Sequence, residues 1–129
     1  EKFQTKAIQV NPHLHKDHGE PWRFLCTAGL AFKLVHGILK TLRQQGVKKA
    51  LEISPKDSLA LAGLGTIADL VPLCDENRIL AKFGLKHLGH NPGAGLDAIL
   101  EKANLSMESN PCSEDVAFKI APRINACGR

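Results

Sequence analysis

Apolar residues recur at helical spacing along most of this chain, and polar residues occupy the positions between them. The pattern predicts helices over 25–45, 58–71, 76–88, 96–103 and 113–122. One short apolar run, "AIQV" at 7–10, is closed by Asn11-Pro12 and predicts a buried strand. The stretch "VKKALEIS" at 47–54 fits either a short strand or an irregular connection.

These elements describe a mainly α-helical chain with one or two short strands. A lone strand has no sheet partner, so the chain cannot form a complete α/β domain by itself. It also begins at Glu1 without an initiator methionine and stops at Arg129, directly after "NACG". We therefore expect residues 1–129 to be a single-domain fragment of an α/β parent, with the missing strands upstream.

The composition is that of a soluble globular domain. The chain has 129 residues, of which 43% are hydrophobic and 23% charged, so it is long enough for one hydrophobic core. It contains no apolar run of membrane-spanning length and no signal-peptide pattern, and we expect no membrane association. Four scattered cysteines without a CxxC pair predict reduced thiols and a cytoplasmic location. The net charge of +4 is compatible with an acidic partner such as nucleic acid.

A single acid, Asp69, stands inside the apolar helix predicted over 58–71. It ends a stripe of small side chains at helical spacing, which comprises Ala62, Gly65, Thr66 and Asp69. Larger apolar residues surround this small-residue stripe, so the helix is predicted to be buried, and a buried carboxylate needs a partner. Spacing alone leaves two roles open: an ion pair with Arg78 or Arg123, and coordination of a metal ion.

Polar residues near the end of the chain offer a second candidate site. Arg123, Asn125 and Arg129 follow Pro122, which predicts the end of the last helix. Arginine forks suit phosphate oxygens, so these residues could contact a phosphorylated ligand. The alternative is that Arg123 pairs with Asp115 or Asp69 in the core.

Histidines cluster in the polar segment "HLHKDH" at 13–18. His13, His15 and His18 could form a surface metal site, since histidine-rich tracts bind zinc or nickel. Nothing in the sequence fixes a third ligand, however, and we interpret the segment as a solvated loop.

Four blocks, in order, resemble one protein family over essentially the whole chain. "GTIADLVPL" at 65–73, followed by "ENR" at 76–78, resembles the fourth motif of the RecJ group of DHH-family phosphoesterases. "AIQVNP" resembles the strand and turn after the DHH motif, and "TAGLAFKL" resembles the start of the next helix. "DVAFKIAPRINACGR" resembles the GPRINAAGR-like segment, with Cys127 in place of a usual alanine.

The resemblance implies a function and a role for each candidate residue. RecJ-like proteins degrade single-stranded DNA from 5′ to 3′ with Mn²⁺ or Mg²⁺, in DNA repair and recombination. Asp69 would be the catalytic motif-four aspartate that helps hold two metal ions, with the small-residue stripe leaving room for them. Arg123, Asn125 and Arg129 would bind the substrate. We expect Asp69 to lie close to the carboxyl end of the strand at 7–10.

The chain also departs from the family pattern. The upstream motifs that supply most metal ligands, including DHH itself, are absent, as is the C-terminal nucleic-acid-binding domain. Residues 1–129 would then be the C-terminal part of the DHH catalytic domain, inactive in isolation. Two alternatives remain: a DHH hydrolase of short oligonucleotides or cyclic dinucleotides, and a catalytically dead binding module. The sequence does not identify protein partners.

Overall fold

A computed structural model of the chain describes residues 8–14, 20–90, 92–105 and 110–127, and these are mainly helical. The α-helices are α1 (Thr27–Gln44), α2 (Lys49–Glu52), α3 (Leu59–Ala68), α4 (Asp75–Leu88), α5 (Ala94–Lys102), α6 (Ser113–Asp115) and α7 (Ala121–Cys127). Short 3₁₀ turns cover Pro12–Leu14, Pro21–Phe24 and Pro55–Ser58, and a π-helical turn covers Val116–Ile120. Among the described helices, none is both long and apolar enough to cross a membrane.

The predicted strand at 7–10 is not present in its described part. Residues 8–10 are irregular, and Ile8 is 95% exposed, whereas Ala7 lies outside the described residues. The uncertain stretch at 47–54 contains the single helical turn of α2. The mainly helical prediction is therefore confirmed, while the expected short strands are not found in the described ranges. An extended segment needs a neighbouring strand to satisfy its backbone, and none is described here.

Helices α3 and α4 pack closely because each presents a glycine to the other. A Cβ atom added to Gly63 would lie 2.6 Å from the Cα of Gly84 and 2.7 Å from the carbonyl oxygen of Leu80. A Cβ added to Gly84 would lie 2.5 Å from the Cα of Gly63. Both positions therefore require glycine, since the obstructing atoms belong to the backbone.

The main core surrounds this helix pair. Its buried members come from α3, α4, α5, the segment after α5 and the π-helical turn: Ala60, Leu64, Ile67, Ala81, Leu88, Leu96, Leu100, Ala103, Leu105, Val116 and Ile120. A smaller cluster of Leu25, Ala62 and Leu80 joins the start of α1 to α3 and α4. Helices α3 and α4 both contribute to the two clusters, so this helix pair is the centre of the described fold.

Some apolar residues that follow the helical spacing of the sequence, and would be expected to face inward, are exposed. On α1, Val35 is 40% and Ile38 49% exposed, and on α4, Ile79 is 56% and Phe83 44% exposed. Only Gly29 and Leu39 are fully buried on α1. The apolar faces of these two helices are thus wider than the surfaces that the described neighbours cover.

The last helix does not end at Pro122 as predicted. The N–H of Ala121 donates to the carbonyl of Val116, five residues back, so a π-helical turn precedes the proline. Pro122 is then the second residue of α7, where a missing N–H is tolerated, and the helix runs on to Cys127. Arg123 and Asn125 consequently lie on a helix rather than in a segment after one.

We predict that Gly63→Ala destabilises the chain by about 3 kcal/mol or more, because overpacking against backbone atoms cannot be relieved by side-chain motion. Gly37→Ala is the matched control, since nothing lies within 4 Å of a Cβ at this position. That variant should stabilise α1 by about 0.5–1 kcal/mol. Urea unfolding of the three proteins measures both effects, and equal stability of Gly63→Ala and the original chain would contradict the packing.

A second prediction concerns Asp115 at the start of the C-terminal helical segment. Its carboxylate accepts hydrogen bonds from the Lys119 ammonium at 2.7 Å and from the N–H of Cys112 at 3.1 Å. These contacts, Lys119 foremost, lower the pKa of Asp115 from 3.8 to about 2. Because the pKa of Asp115 is lower in the folded state than in the unfolded state, its ionised form stabilises the fold at pH values above the unfolded-state pKa. This contribution disappears as the pH falls through about 2.

Asp115→Asn should therefore be less stable than the original chain at neutral pH, and the difference should shrink between pH 4 and pH 2. Urea unfolding at fixed ionic strength across this range tests the effect. Lys119→Met is the control, since it removes the largest cause of the shift and should flatten the pH dependence. If the difference in the free energy of unfolding between Asp115→Asn and the original chain stays constant with pH, the lowered pKa of Asp115 is refuted.

Candidate functional site

Asp69 is the residue at which α3 ends. Its N–H donates to the carbonyl of Gly65 at 3.0 Å, and the next residue, Leu70, adopts a left-handed backbone with φ of 53°. The helix predicted to reach residue 71 therefore stops at Ala68, and the chain turns away. Asp69 is exposed rather than buried, which corrects the expectation of a buried acid.

The carboxylate of Asp69 forms no hydrogen bond or ion pair with the residues that the structure describes. The proposed structural pairing with Arg78 or Arg123 is thus not found for this acid. Its position is also electrostatically unfavourable, because the C-terminal end of a helix carries partial negative charge. A carboxylate without a partner at this end of α3 is a favourable place for a cation.

A cavity of about 770 Å³ has Asp69 in its wall. Three segments line most of it: residues 10–13, residues 23–27, and residues 69–72. We call the last two the α1 wall (23–27) and the Asp69 wall (69–72). Residues 10–13 therefore line the same cavity as Asp69, although the strand to whose end Asp69 was expected to be close is not found in the described residues.

The α1 wall brings positive electrostatic potential to the cavity. It contains Arg23 and the first residue of α1, Thr27. Cys26 caps this helix, since its sulfur accepts from the N–H of Gly29 at 3.4 Å. The 18-residue helix begins at this cavity, and the positive end of its dipole favours anionic groups including phosphate.

The small-residue stripe of α3 does not provide space for metal ions, contrary to expectation. A Cβ added to Gly65 would lie 2.4 Å from the Cβ of Ala28, so α1 packs directly against this face. Ala62 and Thr66 are 2% and 0% exposed. The stripe is therefore a helix-packing surface, and open space for a ligand lies beyond the end of α3.

A buried asparagine connects the two walls of the cavity. Asn77 of α4 donates from Nδ2 to the carbonyl of Phe24 at 2.8 Å and to that of Pro72 at 2.9 Å. Asn77 lies in the motif "ENR" at 76–78, but the sequence pattern assigned it no role of its own. Its helical spacing ahead of Leu80 and Ala81, both buried, is the signal that places it on the inward face.

Arg123, Asn125 and Arg129 are not gathered into one described site. Asn125 lines a second cavity of about 540 Å³ with Ala68, the residue before Asp69, so it lies near the end of α3. Arg123 is exposed on α7 and donates to the carbonyl of Lys119. It lines neither cavity, and Asp115 is bonded to Lys119 and Cys112 instead. Arg129 lies outside the described residues.

The donor set fits one carboxylate ligand rather than a complete metal centre. Across the described ranges, no group of three or more His, Cys, Asp or Glu side chains could hold a metal ion. Asp69 suits Mn²⁺ or Mg²⁺ because these hard cations prefer carboxylate oxygens. His13 is exposed, and its backbone N–H donates to Asn11 Oδ1 at 2.9 Å. His15 and His18 lie outside the described residues.

Comparison with known proteins points to one family of exonucleases. No family model matches the chain, but several curated proteins do. The chain is 41% identical over 110 residues to the single-stranded-DNA-specific exonuclease RecJ of Bacillus subtilis, a match covering 84% of the chain. It is 42% identical over 123 residues, 93% of the chain, to RecJ of Haemophilus influenzae. For RecJ of Dickeya dadantii, the match is 36% over 133 residues and covers 100% of the chain.

The sequence is thus RecJ-like over nearly its whole length and corresponds to a segment of this family. The segment is short, because the chain spans only 12%, 21% and 23% of these three relatives.

Proposed function

We propose that this chain is part of a metal-dependent exonuclease that degrades single-stranded DNA from 5′ to 3′ in DNA repair and recombination. It would form the C-terminal part of the α/β DHH catalytic domain of a cytoplasmic protein. The observation that carries the proposal is the carboxylate of Asp69, which has no partner among the residues that the structure describes and lines a cavity shared with Arg23 and the start of α1. The names of the relatives support the choice of substrate.

Each wall of the cavity has a chemical task in this proposal. Asp69 would hold one of two Mn²⁺ or Mg²⁺ ions, which when bound would activate water and stabilise the leaving oxygen of a phosphodiester. Arg23 and the N-terminus of α1 would bind and orient the substrate phosphate. Arg123, Asn125 and Arg129 would contact the DNA, with Arg123 at the terminal phosphate.

The isolated chain should be inactive, since one carboxylate cannot hold two metal ions. The remaining ligands would come from parts of the parent protein beyond this sequence. Activity is therefore best tested in a chimera, in which these 129 residues replace the matching segment of Dickeya dadantii RecJ. The match to that relative covers 100% of the chain.

In the active chimera, we predict that Asp69→Asn reduces digestion of 5′-phosphorylated single-stranded DNA with Mn²⁺ by about 100-fold or more. Loss of residues that only support a metal ligand already costs about 10–100-fold, and a ligand should cost at least as much. Asp57→Asn is the control, because Asp57 is also exposed but lies outside the cavity.

Full activity of Asp69→Asn would rule out the metal role. A chimera that binds DNA but never cleaves it would favour the binding module. Preference for short oligonucleotides or cyclic dinucleotides would favour the second hydrolase reading. Digestion by the isolated 129 residues, abolished by Asp69→Asn, would show that the ligand set is complete after all.

For Arg123, we predict that Arg123→Ala in the same chimera weakens cleavage of 5′-phosphorylated DNA by about 1.5–3 kcal/mol, the range for a hydrogen bond to a charged group. Arg123→Lys should restore only part of the loss, because an ammonium lacks the planar fork. Lys102→Ala on α5, which removes another exposed cation, should leave cleavage unchanged.

Folding stability separates the two roles considered for Arg123. Its bond to the carbonyl of Lys119 lies at the surface, so Arg123→Ala should lower the free energy of unfolding by less than about 1 kcal/mol. If the variant unfolds readily while its folded fraction cleaves normally, Arg123 has a structural role and the phosphate contact is wrong.

A further inference from the structure

Asn77 is an unusual residue for the interior of this fold. Its side chain is 2% exposed on α4, among the apolar residues that join α4 to α3 and α1. Both hydrogen-bond acceptors, the carbonyls of Phe24 and Pro72, require the amide nitrogen on their side, so the orientation of the side chain is determined. Its Oδ1 atom is buried without a hydrogen-bond partner among the described residues.

A buried polar atom without a partner lowers stability, and an apolar residue would avoid this cost. The two hydrogen bonds donated by Nδ2 are the interactions that asparagine makes here and an apolar residue could not. Asn77 is 53 residues from Phe24 and 5 from Pro72, so its two bonds join segments that are distant from each other in sequence. Phe24 belongs to the α1 wall and Pro72 to the Asp69 wall.

The bonded segments are those that carry the charged groups of the cavity. Phe24 directly follows Arg23, and Pro72 lies three residues after Asp69. Within the Asp69 wall, Leu70 has a left-handed backbone, and Pro72 has no N–H with which to form a backbone bond. Asn77 therefore ties a loop with few bonds of its own to the segment that precedes α1.

We infer that Asn77 is a positioning residue for the cleavage reaction: it fixes the separation between the Asp69 carboxylate and the Arg23 side of the cavity. This inference rests on the proposed function. Metal-bound phosphate chemistry needs ligands and phosphate-binding groups at set distances, and small displacements are costly in rate. Asn77 itself touches neither metal nor substrate in this account.

The test uses the Dickeya dadantii chimera with Asn77→Asp and Asn77→Leu. Aspartate preserves the volume of the side chain and leucine its branched shape, and both substitutions remove the two amide donors. Hydrogen–deuterium exchange should increase in residues 22–26 and 70–74 and remain unchanged in 96–105. At a temperature well below unfolding, kcat for single-stranded DNA should fall about 10- to 100-fold, with a smaller change in KM because DNA is held at other contacts as well.

Leu100→Ala is the control for general destabilisation, since Leu100 is 2% exposed on α5 and lies outside the cavity. It should lower the melting temperature yet keep kcat and the exchange of both walls. Unchanged exchange at the walls in the Asn77 variants, or faster exchange with normal kcat, would overturn the inference. Full activity of Asp69→Asn would instead refute the proposed function, and the exchange data would still show whether Asn77 joins the walls.

Discussion

The contact between Gly63 and Gly84 governs the arrangement of the described fold. Because neither residue has a Cβ atom, the backbones of α3 and α4 lie very close together. A Cβ atom added to either glycine would lie 2.6 Å or less from the Cα of the other. Helix α3 is held on its other side by Ala28 of α1, which packs against Gly65. These two close contacts fix the direction of α3 and therefore the point in space at which it ends, which is Asp69.

The end of α3 has an electrostatic character that its surroundings do not neutralise. Partial negative charge at a helix C-terminus and the carboxylate of Asp69 add to each other, and the described residues offer this acid no ion pair. Arg23 and the positive end of α1 line the same cavity. A cavity with an acid and a source of positive potential in its wall offers complementary charges to a metal-bound phosphate, the ligand that we propose for it.

Sequence patterns were sufficient where one local interaction decides the structure. Helical spacing located the main helices, and the helix predicted over 25–45 stops before Gly46, which has a positive φ of 77°. Patterns failed where the outcome depends on distant residues. The strand at 7–10 required partner strands, and the burial of Ile79 and Phe83 required neighbours that the described residues do not supply. Pro122 was misread because the π-helical turn that accommodates it leaves no mark in the sequence. The stripe beside Asp69 was recognised, but only the structure shows that α1 fills it.

If Asp69 is a metal ligand, its substitution weakens Mn²⁺ binding, and a binding titration measures this effect without reference to catalysis. Electron paramagnetic resonance measures free Mn²⁺ during a titration of the Dickeya dadantii chimera and of its Asp69→Asn and Asp57→Asn variants. Asp69→Asn should weaken Mn²⁺ binding at least about 10-fold, the lower end of the effect of altering a metal site. Asp57→Asn should bind Mn²⁺ as tightly as the unsubstituted chimera does. Equal Mn²⁺ affinity in all three proteins would contradict the metal role of Asp69.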